Sequence, residues 1–202
     1  MQGIGQTNLS LDEAHCGALI RYVGLLVQWN LAYNLTSVRD PIEIVRRHIL
    51  DCLVILPYIH GKRLLDLGTG AGLPGIVLAI TRPDMECVLL DGNGKKTRFC
   101  RQVAIELGLP NVEVVHMRAE KYAPRIPFDT VTARAVGDLS ILWDHAKRLL
   151  APGGKLLAMR GAAKSAENHA ASEAAILETV TVVPLTVPDL AAERHLAIIE
   201  RE

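Results

Sequence analysis

Apolar residues recur at helical spacing through Leu19, Val23, Leu26 and Val27, just after Ser10-Leu11-Asp12-Glu13. That tetrapeptide reads as a capping box, with Ser10 at the N-cap and Glu13 reaching back to it. Asp40-Pro41 opens a second helix, since proline suits the first helical position. Ile44, Val45, Ile49, Leu53 and Leu56 carry it toward Pro57. Residues 1–60 therefore predict a helical extension without strands, and residues 61–202 a separate α/β domain. From Arg63 the rhythm changes. Short apolar runs at 63–67, 87–90, 112–116, 130–133, 155–159, 179–183 and 196–199 predict seven strands. Helices begin between them near Pro74, Gly94, Asp138 and Ser165. Gly108 is placed to end the Gly94 helix, and Pro152-Gly153-Gly154 predicts a turn ahead of the fifth strand. Such alternation implies a mostly parallel sheet covered on both faces, and the short last connection suits a final antiparallel strand.

Composition narrows the class without changing this picture. The chain has 202 residues, 50% hydrophobic and 22% charged, as in an ordinary globular protein. No apolar run approaches the ~18 residues of a membrane span, and Met1 to Leu9 lacks the basic start and apolar core of a secretory signal. Cys16, Cys52, Cys87 and Cys100 are scattered, with no Cys-x-x-Cys pair. Zinc ligation and a disulfide framework are therefore not expected. Reduced thiols in the cytoplasm are, with the cysteines inert and buried. The net charge of zero divides unevenly: −1 over residues 1–60, +5 over 61–160 and −4 over 161–202. Only the middle segment is basic, a modest pointer to a polyanionic partner.

The chemistry concentrates at Leu64-Leu65-Asp66-Leu67-Gly68-Thr69-Gly70-Ala71-Gly72-Leu73-Pro74-Gly75. A buried strand ends there, turns without Cβ atoms in the way and starts a helix whose N–H groups face a ligand. Gly70-x-Gly72-x-x-Gly75 satisfies a dinucleotide fingerprint, a weak signal alone. Gly70-x-x-x-x-Gly75 begins like a P-loop, but Ile76-Val77 stands where Lys-Ser/Thr is required. Asp66-x-Gly68-x-Gly70-x-Gly72 resembles the first motif of class I S-adenosyl-L-methionine (AdoMet)-dependent methyltransferases. Asp91, ending the second strand, suits the ribose hydroxyls of either cofactor. No dehydrogenase constellation is visible. Asp66 would serve the amine of a methionine end, whereas it would repel a pyrophosphate. AdoMet is favoured, with a dinucleotide still open.

The acceptor is narrowed by what is missing. Exocyclic amino methylation often uses an Asn/Asp-Pro-Pro-aromatic loop after the fourth strand, where this chain reads Thr132-Ala133-Arg134-Ala135-Val136. Methylation at a pyrimidine ring carbon needs a cysteine nucleophile, and no cysteine sits in a Pro-Cys loop. An acceptor that needs no deprotonation fits. Ring nitrogen 7 of guanine is one, and it requires only proximity and alignment.

The collinear segments Trp29-Asn30-x-x-Tyr33-Asn34-Leu35-Thr36-Ser37, Arg47-His48-Ile49-Leu50-Asp51 and Asp66 to Gly75 carry a closer resemblance. So do Gly94-Lys95-Lys96-x-x-Phe99, Phe128-Asp129, Arg134-Ala135 and Glu193-Arg194-His195-Leu196. They resemble the RsmG (GidB) family, bacterial methyltransferases that make 7-methylguanosine in small-subunit (16S) ribosomal RNA. Departures are Ala71 for a usual proline, Gly92-Asn93 for a common serine, and Met159-Arg160-Gly161 for a usual Lys-Gly. The resemblance implies a class I AdoMet-dependent methyltransferase, a Rossmann-like seven-stranded sheet with an N-terminal helical extension. It also implies cofactor contacts at Gly68, Leu73, Ala119, Glu120 and Arg134, to which the glycine loop itself adds Asp66, Gly70 and Asp91. No general base and no metal are expected. Lys95, Lys96, Arg98 and Arg101, with Arg118 alongside, are the candidates for RNA phosphates; the plain alternative for each is a solvated helix face. Glu120 has its own alternative, a pair with Lys121 or Arg118. Arg39, Arg46, Arg47 and His48 form a second patch, partly cancelled by Asp40, Glu43 and Asp51, with His48 otherwise a satisfied structural histidine. The implied partner is 16S ribosomal RNA, the small subunit or an assembly intermediate, with no DNA and no membrane, acting on a cytoplasmic monomer. Another methyl acceptor, or a non-catalytic RNA-binding module on the same fold, remains the alternative.

Overall fold

The computed structural model describes residues 11–134, 137–161 and 180–202. Seven strands form one sheet in the order β3-β2-β1-β4-β5-β7-β6. They are β1 (Arg63–Leu67), β2 (Glu86–Asp91), β3 (Val112–His116), β4 (Phe128–Arg134), β5 (Leu150–Arg160), β6 (Val180–Leu185) and β7 (Arg194–Glu200). The first five pair in parallel, and β7 runs antiparallel to both β5 and β6. The central strands are apolar on both faces: every residue of Leu64–Leu67 and Cys87–Asp91 is buried. That continuous burial is what helices on both sides of a parallel sheet require.

The helix α1 (Glu13–Tyr33) starts differently from the capping-box expectation. Asp12, not Ser10, is the N-cap, and its carboxylate accepts from His15 N at 2.8 Å; Ser10 lies outside the described residues. Glu13 becomes the first helical residue. Leu19, Tyr22, Val23, Leu26 and Asn30 form the buried stripe. The first four share a core with Ile76, Val77, Phe99 and Val103 of α4 (Gly75–Thr81) and α5 (Gly94–Leu107). The extension and the sheet domain therefore share one continuous apolar core on that face.

The helix expected from Asp40-Pro41 divides into three pieces. Asp40 caps α2 (Pro41–Ile44) with Pro41 in the first turn; a π-helical turn follows over Val45–Ile49, and α3 (Leu50–Leu53) completes it. Gly108 ends α5 in the left-handed region, and Asp138 caps α6 (Leu139–Lys147) through Ser140 N at 2.8 Å. The helix expected near Ser165 lies outside the described residues. Pro152-Gly153-Gly154 is not a turn ahead of the fifth strand: it lies inside β5. The register with β4 slips there, from Phe128↔Leu150 to Thr130↔Lys155. Gly153 N donates to Arg201 O at 2.7 Å and Arg201 N to Gly154 O at 2.8 Å, so ladder pairing continues through a bulge in which Gly153 takes left-handed backbone, with φ of +73°. Among the described residues no helix is long and apolar enough to cross a membrane, and no His/Cys/Asp/Glu cluster could hold a metal ion.

Candidate active site

Strand β1 delivers Asp66 and the glycine loop to the carboxyl edge of the sheet, where open α/β folds place ligands. Gly68 N and Thr69 N both donate to Leu90 O, at 2.8 and 3.0 Å, which ties the loop to β2. Asp66 is 1% exposed. Its carboxylate accepts from Thr69 Oγ1 at 2.6 Å, Gly75 N at 2.8 Å and Thr132 Oγ1 at 3.1 Å. Burial pushes its pKa up to about 6, against the opposing pull of those three donors. Asp66, expected from the sequence to meet a methionine amine, is placed beneath the loop with its carboxylate engaged by these three donors. The carboxylate lies beneath the loop, closes it onto the start of α4 and borders neither ligand-sized cavity described below. Gly75 is part of the same arrangement: a Cβ there would stand 2.1 Å from Leu89 Cδ2 and 2.7 Å from Asp66 Oδ2.

Two cavities open above the loop. The edge cavity, about 270 Å³, is walled by Gly68, Asp91, Met117, Ala119, Glu120 and Leu142, among others. The central cavity, about 520 Å³, is walled by Thr36, Gly70, Leu73, Lys96 and Arg134, among others. Gly68 and Asp91 border both. Asp91, 9% exposed, accepts from Gly70 N at 2.9 Å and Asn93 N at 2.8 Å, and Lys96 Nζ stands 4.0 Å away. At Gly68, φ is +71° and no protein atom lies within 4 Å of where a Cβ would be, so a ligand can pass close to the backbone there.

The turn that carries Ala119 and Glu120 is clamped from beyond the cavity. Arg148 Nη1 donates to Tyr122 O at 2.6 Å and Nη2 to Ala119 O. Glu120 faces His145 of α6 at 4.0 Å rather than Lys121 or Arg118. Arg118, read from sequence as a phosphate contact, is exposed and borders the edge cavity, and its Cγ would lie 3.4 Å from a Cβ on Gly92. Lys95 and Arg98 are exposed on α5, Lys96 turns inward to Asp91, and Arg101 Nη2 donates to Val114 O at 3.2 Å. The α5 cations thus divide between solvent, the cavity and β3.

A second cluster joins chain segments far apart in sequence. Asn30, buried in α1, accepts from Thr36 N at 2.9 Å and donates to Val38 O at 3.3 Å, which folds 34–38 over the central cavity. Thr36 Oγ1 meets His48 Nε2 at 2.8 Å, and His48 Nδ1 meets Arg47 O at 2.9 Å. Nδ1 is contested: it donates to the Arg47 carbonyl in one tautomer and accepts from the Arg134 guanidinium, which can only donate, in the other; the ring is neutral in both. Arg134 Nη1 lies 3.2 Å from Nδ1; burial, then this guanidinium, lowers the His48 pKa to about 4. Asp51, 4% exposed, accepts from Arg194 Nε at 2.9 Å and stands 3.7 Å from Arg134 Nη1. Burial pushes the Asp51 pKa up, while Arg194 and Arg134 pull it down. Read from sequence as a carboxylate cancelling a surface patch, Asp51 is an interior bridge. Its only local signal is its position three and four residues past His48 and Arg47; Arg194 lies 143 residues away.

No cysteine is a nucleophile candidate, though Cys100 Sγ donates to Gly70 O at 3.6 Å and so helps hold the loop. Cys52, Cys87 and Cys100 are buried, and burial raises all three thiols, that of Cys87 to about 12. Cys16, expected to be buried with them, is only half-buried.

The sequence model of the GidB family, described as rRNA small subunit methyltransferase G, matches residues 15–197 of this chain. The chain belongs to this family. A relative named ribosomal RNA small subunit methyltransferase G, from Alkalilimnicola ehrlichii, is 48% identical over 194 residues, 96% of this chain and 87% of the relative. A protein of the same name from Yersinia enterocolitica is 46% identical over 198 residues, 98% of this chain and 95% of its own length. Among solved structures, the O-methyltransferase TomG from Streptomyces achromogenes, solved in complex with SAM, superposes with a TM-score of 0.64. It has 17% identity, covering 98% of this chain and 94% of that one. The N-methyltransferase NodS from Bradyrhizobium japonicum gives 0.56 at 17% identity, over 81% and 99%. These likenesses establish the class I AdoMet methyltransferase fold, and the GidB relatives establish a methyltransferase family over nearly the whole chain.

Proposed function

We propose that this protein transfers the methyl group of S-adenosyl-L-methionine to ring nitrogen 7 of a specific guanosine in 16S ribosomal RNA. The observation that carries the reading is the meeting of the edge and central cavities at Gly68 and Asp91, in a chain of this family. A ligand with a nucleoside end and an amino-acid end suits two cavities joined at a glycine and a carboxylate. Asp91 would accept from the ribose hydroxyls, the Ala119–Glu120 turn would face the adenine, and Gly70, Leu73 and Arg134 would border the methionine end. Asp66 would act through the loop it closes. S-adenosylmethionine supplies an electrophilic methyl on a sulfonium.

The remaining task for the protein is positioning. Guanine N7 presents an in-plane lone pair at neutral pH, so no residue has to remove a proton. The site agrees with this. His48, which contacts Thr36 and Arg134 of the central cavity's wall from behind, is a poor proton acceptor, with its pKa lowered to about 4 and its ring nitrogens engaged by those neighbours. Positive charge passes to the purine during transfer, and the Asp51 carboxylate near Arg134 moderates the cationic field there. We further propose that the protein works as a cytoplasmic monomer on the small subunit or a precursor of it, and that DNA is not a substrate.

Calorimetry separates this reading from a non-catalytic module. AdoMet should bind with a dissociation constant far below about 1 mM and NAD should not; binding of neither would overturn the enzymatic reading.

A further inference from the structure

A third cavity, about 310 Å³, lies on the other side of Arg134. Its walls bring Arg47 and His48 of the π turn together with Arg160 of β5 and Arg194 and His195 of β7. Four arginines, Arg47, Arg134, Arg160 and Arg194, line this space, and among the described residues its lining carboxylate is Asp51. Asp51 is already committed to Arg194 and Arg134. Among the described residues, the exposed guanidinium of Arg47 makes no hydrogen bond or ion pair. Arg134 borders both this cavity and the central one.

We infer that this basic cavity binds a backbone phosphate of the substrate RNA strand, next to the nucleotide whose base enters the central cavity. The inference rests on the proposed RNA substrate. Methyl transfer to a neutral ring nitrogen gives no use for such a concentration of guanidiniums, whereas a phosphodiester does. The guanidinium's planar fork matches two phosphate oxygens at once, which a lysine ammonium does not. Because Arg134 forms the partition, a base on one side leaves its neighbouring phosphate on the other. The α5 cations offer no equivalent enclosure: Lys95 and Arg98 project into solvent, and Lys96 stands 4.0 Å from Asp91.

The test uses the full chain and small-subunit ribosomal RNA lacking the modification, over a range of salt concentrations. Arg47→Ala should weaken RNA binding several-fold and lower the slope of log Kd against log salt by about 1. Its AdoMet affinity and melting temperature should be unchanged, since Arg47 is exposed and lies outside both cavities assigned to the cofactor. Arg47→Lys should restore most of the salt slope but less of the affinity. Lys62→Ala, at the opposite end of β1, should leave both where they are. An unchanged salt slope in Arg47→Ala and in Arg47→Ala/His195→Ala, with methyl transfer to the RNA intact, would overturn the phosphate site and spare the proposed function. Absence of methyl transfer to this RNA by the unsubstituted protein would overturn both.

Discussion

Gly68 and Gly108 both have left-handed backbone, with φ of +71° and +62°, and neither would bring a Cβ within 4 Å of another atom. Alanine at either should cost about 1–2 kcal/mol from the conformation alone. Only Gly68 borders the two cavities. Gly68→Ala, and more strongly Gly68→Val, should therefore lose AdoMet affinity at least tenfold while Gly108→Ala keeps it; calorimetry beside chemical denaturation separates the two effects. Gly75→Ala is a different case, because its Cβ would strike Leu89 and Asp66, and a loss of about 1–3 kcal/mol or more is expected. Two ionisable groups, the buried Asp66 and the half-buried His48, give opposite pH windows. Asp66, raised to about 6 from 3.8, adds stability below about pH 3.8 that is lost as pH rises through 6. His48, lowered to about 4 from 6.5, adds stability above about pH 6.5 that is lost as pH falls toward 4. His48→Gln should flatten the second limb and leave the first, as read by denaturant midpoints across that range.

Helix α1 reaches the cofactor loop through one hydrogen bond. Tyr22, fully buried, donates from its hydroxyl to Ala71 O at 2.6 Å, and its ring lies 6.3 Å from Phe99 of α5. Tyr22→Phe keeps the packing but leaves the Ala71 carbonyl unpaired, so a loss of about 1–3 kcal/mol and a weaker AdoMet affinity are expected from thermal unfolding and calorimetry. At this scale β1 and β2 were legible because strands buried on both faces read as near-continuous apolar runs, whereas β3, an edge strand with no buried residue, was legible from its valines. The start of β5 was not. Pro152-Gly153-Gly154 has turn chemistry, seen as left-handed backbone at Gly153, and pairing with Arg201, some fifty residues on, makes it a bulge within the strand. The π turn at Val45–Ile49 has no local signature either, since its residues suit an α-helix equally well. The α1 start slipped by two residues because Asp12 and Ser10 are both good caps. Of the site, the glycine loop and Asp91 could be read directly, being contiguous with strand ends. The Thr36–His48–Arg134–Asp51–Arg194 cluster could not, because its members meet only after the sheet is assembled.

At the scale of the molecule, β1 and β2 present the cofactor loop while the helical extension covers it from one side. The sheet's last strands contribute Arg194 and His195 to a basic cavity beside it. The extension and the sheet share a core, so removing residues 1–60 would expose Ile76, Val77 and Phe99 rather than release a dispensable arm. Basic charge and the ligand cavities lie at the same carboxyl edge, which is how a base could meet a methyl donor while its backbone is held alongside. The most direct measurement is transfer from methyl-labelled S-adenosylmethionine to small-subunit ribosomal RNA that lacks the modification, with the product nucleoside located by mass spectrometry. The account predicts label in a single 7-methylguanosine of that RNA. Label on another atom, only on another RNA, or on no RNA at all would contradict it.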